Sequence, residues 1–210
     1  MPEVKPSARA RKRPTLRDEQ AAVTRRRILD AARHLFFEDG YAATTLKAVA
    51  SEAGVAVQTV YAVFGSKAAI LTELRWMVVD QPDADRALRA ASRAPTVELR
   101  LAGFAHSIRQ RWGLAGDIVR VNEDAARADR DVRAGVEPAR ARRQAGIAGF
   151  VQAIADDLLP ALNVARATAV VDALTMYDLY AQLVGYHHWS PDDYETWLAA
   201  QLLANVRGSS

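Results

Sequence analysis

The sequence predicts an all-α protein of about nine helices, a small three-helix unit at the N-terminus followed by a larger helical body. Three observations carry this. No stretch alternates apolar and polar residues as a strand would, and apolar residues recur instead at spacings of three and four. The third is the stretch from Thr44 to Lys67, TTLKAVASEAGVAVQTVYAVFGSK, which reads as a short helix, a glycine turn, a second short helix and the start of a third.

Met1 to about Thr15 holds three Pro, a basic cluster and almost no large apolar residue, the composition of a disordered arm. Between Met1 and Arg27 there are nine Lys and Arg against three acidic residues, while the whole chain carries only +3. A basic arm on a mildly acidic body points to a polyanion at that end, or else to a merely solubilising tail. From about Arg17 to Glu38 a helix is expected, with Ile28, Ala31, Ala32, Leu35 and Phe36 on one stripe and Asp39-Gly40 as its stop. Its basic residues Arg25 to Arg27 would lie near the polyanion.

In the next stretch a small residue, Ala50, is followed four positions later by Gly54, the spacing of a helix-turn-helix. The alanine lets the second helix cross closely, and the glycine can end the first helix at positive φ. Thr44 and Thr45 each carry a hydroxyl that can cap the first helix. Leu46, Val49 and Ala50 form one apolar face and Val55, Val60 and Phe64 another. Burying both leaves Val57, Gln58 and Thr59 outward at the start of the second helix. Gln can pair bidentately with adenine and Val can contact a thymine methyl. A plain helical hairpin with a solvated face is the alternative on the Ala/Gly spacing alone. The phenol of Tyr61 can reach a phosphate, or it is a packed ring with a wet tip. Ser66 caps the following helix, and Lys67 in its first turn offers a phosphate site, since the helix dipole otherwise disfavours a cation there. That helix is expected to run to about Asp80.

Gly40-Tyr41, Thr44-Thr45, Ala50, Ala53-Gly54-Val55, Thr59-Val60-Tyr61, Phe64 and Ser66-Lys67-x-x-Ile70-Leu71 together resemble the DNA-binding domain of the tetracycline-repressor (TetR) family. The resemblance spans Arg17 to Asp80 at most. One departure is Ala56, where the family usually has Ser or Thr, which gives up an N-cap hydrogen bond of roughly 1 kcal/mol. The resemblance implies a disordered basic arm at 1–16, a helix-turn-helix DNA-binding domain at 17–66 and a helical ligand-binding and dimerisation domain at 67–210. It implies a phosphate contact for Thr45 and a base or phosphate contact for Lys47. Val57, Gln58 and Lys47 are then the candidate base readers, with Thr59 beside them, and Thr45, Tyr61 and Lys67 grip phosphates.

Beyond Pro82 every signal is helical. Asp83 to Ser92 is a short amphipathic segment, and Pro95-Thr96 opens a helix through Trp112. Gly113 and Gly116 mark a break, and Asp117 begins a helix through about Arg133. Pro138 starts a long helix to Leu159, Ala165 to His187 forms another, and Pro191 to Val206 is the last. The last two resemble the helices that pair subunits in this family, so Leu183, Tyr194, Trp197, Leu198 and Leu202 are expected at a homodimer interface; the alternative is that they fill the monomer's own core. The resemblance also implies a small-molecule pocket in the body. Trp76, Phe104, His106, Arg109, Trp112, Met176, Tyr177 and Tyr180 are candidates, most of them equally suited to plain core, with Trp76, Arg109 and Tyr177 chosen as lining.

Other chemistries find little support. The absence of Cys excludes disulfides and thiolate metal sites. No apolar run approaches the roughly 20 residues that span a bilayer, and the basic N-terminus has no apolar segment after it, so a cytoplasmic protein is expected. The adjacent His187 and His188 face different ways on a helix, so no metal site is expected. No phosphate-cradling glycine loop, GxSxG or HExxH is present, and neither a catalytic residue nor a cofactor is expected. The reading is a homodimeric, ligand-released repressor on a palindromic operator. The alternatives are a ligand-independent architectural DNA-binding protein and a helical scaffold with a vestigial helix-turn-helix.

Overall fold

The computed structural model describes residues 15–79 and 82–207. The basic arm expected at 1–16 falls almost wholly outside them. Ten α-helices and no strand occur among the described residues.

Helix α1 (Leu16–Glu38) starts at a capping box, in which Thr15 Oγ1 accepts from the Asp18 N–H and the Asp18 carboxylate accepts from the Thr15 N–H. Its stripe of Ile28, Leu29, Ala31, Ala32 and Phe36 is buried. Of the two threonines, Thr45 caps α2 (Leu46–Ala53) by accepting from the Ala48 N–H at 3.1 Å. Thr44 is buried instead, and its hydroxyl donates to the Gly40 carbonyl at 2.8 Å and the Leu35 carbonyl at 3.2 Å. Gly54 ends α2 at φ 63°, ψ 43°, where an L side chain is disfavoured, and the Val55 N–H closes back on the Ala50 carbonyl at 3.0 Å. Helix α3 (Val57–Phe64) follows with Ala56 as an N-cap that supplies no side-chain bond, as the residue type requires. Ser66 Oγ caps α4 (Lys67–Val79) through the Ala69 N–H at 3.0 Å.

The body departs from the sequence reading at three places. After α5 (Pro82–Ala91), helix α6 (Val97–Ala128) runs unbroken through Gly113 and Gly116. Gly116 is there for close approach, because a Cβ on it would overlap the ring of Tyr177. Replacing Gly116 by Ala is therefore expected to lose about 1–3 kcal/mol by overpacking. Gly149→Ala, which meets nothing within 4 Å, is expected to gain up to about 1 kcal/mol from helix propensity. Urea unfolding of both variants measures the contrast.

The second departure is that the helix break falls at Asp129, which starts α7 (Arg130–Gln152) by accepting from the N–H groups of Asp131 and Val132. Pro138, expected to open this helix, lies inside it. A short 3-10 turn, Ala155–Asp157, then ends the segment. Third, the long helix expected at 165–187 is broken in two. Helix α8 (Val164–Leu174) stops at Thr175, and α9 (Tyr177–Tyr180) continues as a π-helical stretch, Ala181–Tyr186. The buried Thr175 hydroxyl turns back onto the Val171 carbonyl, and the Thr175 carbonyl accepts from Trp112 Nε1 and Arg143. Helix α10 (Pro191–Val206) matches expectation and opens on a Ser190–Asp193 capping box.

Two hydrophobic clusters result. The first joins α1 to α4 with Ile118, Val121, Ala125 and Ala126 of α6 and Val132 and Val136 of α7, so one core runs from the helix-turn-helix into the body. The second packs the N-terminal part of α6 with α7, α8, Tyr180 and α10. Tyr194, Leu198 and Leu202, expected at a dimer interface, are 0% exposed within the single chain. They are core residues, because α10 lies against α6 and α8 with that face inward. Leu183 and Trp197 are only partly buried against the same cluster.

Candidate functional site

Packing of α2 on α1 and of α3 on α2 and α4 buries Val49, Ala50 and Val60 and leaves polar side chains of both short helices outside. Thr45, Lys47 and Gln58 are exposed, Tyr61 is 55% exposed, and Thr59 is half-buried. Val57 is turned partly inward against the first cluster, so Gln58 offers the freer side chain of the pair. Arg27 of α1 lies over the turn between α2 and α3, its Nη2 2.7 Å from where a Cβ on Gly54 would stand. Its neighbours are engaged within the protein. Arg25 pairs with Glu73 at 2.9 Å and stacks on the Phe64 ring, and Arg26 pairs with Asp30 at 3.0 Å.

Lys67 is not placed as an open phosphate hook. Its ammonium donates to the carbonyls of Tyr41 at 2.6 Å, Thr44 at 2.9 Å and Ala42 at 3.4 Å, and lies 4.3 Å from the centre of the Tyr41 ring. The cation at the start of α4 is thus matched by carbonyl dipoles of the loop between α1 and α2. The Tyr41 hydroxyl in turn donates to Asp129 at 2.8 Å, the residue that caps α7. Burial, followed by that carboxylate, pushes the Tyr41 phenol well above its ordinary range, so it stays a donor. The Asp129 carboxylate is held below its usual value, first by the Tyr41 hydrogen bond. Lys67, Tyr41 and Asp129 therefore tie the helix-turn-helix loop to the corner between α6 and α7.

A cavity of about 470 Å³ lies in the body, between α4, α5, α6 and α7. This is a size ordinary for small-molecule sites, roughly 300–1,000 Å³. Leu88, Phe104, Ile108, Trp112, Val136 and Ile147 supply its apolar walls. Two acid–base pairs stand in the lining, Arg111 with Asp85 at 3.1 Å and Arg140 with Glu123. Arg143 is anchored to Thr175 at 2.8 Å and to Asp172, and burial draws its guanidinium down to about 10.

The three residues chosen from sequence as lining do not reach this cavity. Trp76 is 45% exposed on the outer side of α4. Arg109 is held by Asp192 and Glu195 of α10. Tyr177 stacks edge-on behind Trp112, ring centres 5.6 Å apart, and so lies one layer out. Trp76 and Arg109 miss by helical phase, since their neighbours Arg75 and Ile108 line the cavity, whereas Tyr177 belongs to α9, which contributes no lining residue. Arg75 had one signal in the sequence, since it stands four residues after the buried Leu71 and so shares the apolar stripe of α4. Asp129 had none that separated it from other surface acids.

Two short helices joined by the Gly54 turn, the second with an exposed face, form a helix-turn-helix. Residues 28–74 match the family model described as bacterial regulatory proteins, tetR family, so the helix-turn-helix segment is of that type. No curated protein matches the chain. Solved structures share its fold along nearly the whole length. NalD of Pseudomonas aeruginosa, the secondary repressor of the MexAB-OprM multidrug efflux pump, aligns at 21% identity with a TM-score of 0.71, covering 91% of this chain and 100% of that one. The fatty acid degradation regulator FadR of Bacillus halodurans aligns at 16% identity and 0.72, covering 89% and 97%. SmeT in complex with triclosan aligns at 20% identity and 0.68, covering 89% and 93%. No described helix is long and apolar enough to cross a membrane, and the described residues hold no cluster of metal ligands.

Proposed function

We propose that the chain acts as a homodimeric repressor that holds a palindromic operator and releases it when a small molecule fills the body cavity. The observation that carries this is the position of α4: the helix capped directly after the recognition helix also walls the cavity through Arg75. A ligand that moves α4 or the start of α7 pulls on the Lys67–Tyr41–Asp129 link and so on the loop that presents Thr45. Two copies related by a two-fold axis would set their recognition helices in successive major grooves. Residues 17–66 form the DNA-reading part and 67–210 the effector and pairing part, with a core continuous between them. The partly covered Leu183 and Trp197 and the 73%-exposed Tyr186 are the apolar groups available for pairing near α10. SmeT with triclosan supports a small-molecule occupant for this fold.

Gln58, Lys47 and Val57 read bases in this scheme while Thr45 and Tyr61 position the backbone. Thr59, half-buried, supports them. The test is a gel shift on DNA upstream of the protein's own gene against unrelated DNA, at two salt concentrations. Selective binding that persists as salt rises is the expected result. Gln58→Ala should lose roughly 1–3 kcal/mol on the preferred site and little on unrelated DNA. Equal loss on both DNAs, or binding that collapses on both with salt, would instead identify an unspecific architectural binder.

A further inference from the structure

Arg75 is the anomaly of the cavity wall. It is only 5% exposed, yet among the described residues its one hydrogen bond runs from Nη1 to Asn122 Oδ1 at 3.4 Å, and its Nε has no partner there. No carboxylate among the described residues pairs with it. The two acids in the lining, Asp85 and Glu123, are already taken by Arg111 and Arg140. Asn122 is itself buried, at 3% exposure, and spends its amide N–H on the Ile118 carbonyl, so its oxygen is left facing the guanidinium. On the other side α7 comes close: a Cβ on Gly135 would stand 2.6 Å from Arg75 Nη2. The guanidinium is thus fixed in place in the wall of a cavity whose other charges near it are already paired, and is short of a counter-charge.

Resting on the regulator reading above, we propose that the effector is an amphipathic carboxylate, its apolar body against Phe104, Ile108, Trp112 and Ile147 and its anionic head on Arg75. A guanidinium presents a planar fork that a carboxylate meets with two parallel hydrogen bonds, and the dry surroundings strengthen that pairing. A cationic ligand meets repulsion at the same point. A neutral one leaves the buried charge as uncompensated as before, so the site discriminates by what it would leave unpaired. Because Arg75 belongs to α4, the anion acts on the helix that follows the DNA-reading unit.

The experiment uses the full chain and three probes of one chain length: decanoate, decanol and decylamine, with affinities from isothermal titration. Decanoate is expected to bind about ten- to a hundredfold tighter than either of the others. In Arg75→Met decanoate should fall to within about threefold of decanol, while decanol itself is bound as before, which shows that the cavity is intact. Arg142→Met, at an exposed arginine on the same rim, should keep the preference. Equal affinity for all three probes, no binding of decanoate, or a preference that survives Arg75→Met would each overturn the inference. Operator binding measured without any probe separates the two readings. If it is selective while the carboxylate preference is absent, only the inference falls; if the natural protein binds no DNA selectively, the regulator reading falls whatever the probes do.

Discussion

Replacing Tyr194 by Ala is expected to remove about 3–5 kcal/mol of unfolding free energy, the cost of emptying a fully buried aromatic site. Tyr194 is 0% exposed, edge-on to Tyr180 with ring centres 4.9 Å apart, and beside Trp197 at 6.1 Å. Its hydroxyl is buried with no hydrogen-bond partner among the described residues. Tyr194→Phe should therefore change stability by less than about 0.5 kcal/mol or raise it, because it deletes an oxygen that was desolvated without return. Urea unfolding followed by circular dichroism gives both numbers. The loss in Tyr194→Ala should be the same size at low and high protein concentration. A loss that grows as the protein is diluted would return this residue to the subunit interface.

Lys67→Met separates the two roles open to that side chain. The methionine keeps an apolar stem but removes an ammonium that serves three carbonyls of the loop between α1 and α2. Charge-assisted bonds of this kind contribute about 1.5–3 kcal/mol each, and water replaces part of them at a half-buried site. The expected outcome is a stability loss of about 2–3 kcal/mol in all, with weaker binding to the proposed operator because Thr45 is less well held, and an unchanged salt slope. A phosphate grip predicts the reverse: unaltered stability and a slope lower by about one. Measuring affinity at several salt concentrations beside thermal unfolding decides it.

The local decisions of this chain were legible in its sequence. The Ala50–Gly54 spacing, the stripes of α1, α2 and α3, the Ser66 cap and the Ser190–Pro191 start of α10 depend on neighbours within a turn or two, and periodicity and capping chemistry report such neighbours directly. The outward placement of Thr45, Lys47, Gln58 and Tyr61 follows from them by elimination once the apolar faces are turned inward. Several other features were decided only in three dimensions. Gly113 and Gly116 look like a break, but α6 runs through both, and close packing of Gly116 against the Tyr177 ring offsets its low helix propensity. Pro138 looks like a start, but the chain had already turned at Asp129, whose carboxylate caps α7 and receives Tyr41. The length of Ala165 to His187 conceals a stop at Thr175, where the side chain and the partners of its carbonyl outweigh local propensity.

The same division runs through the function. The sequence by itself determined the helix-turn-helix, the outward Gln58 and the all-α body, since each rests on contacts close along the chain, whereas Val57 and Thr59, expected outward, are partly buried. Tertiary structure alone decided which side of α10 is core, which carbonyls claim Lys67, and that Arg75 rather than Trp76 faces the cavity. Adjacent positions on a helix differ by about 100°, and only the packing of distant helices says which of them is turned toward the cavity.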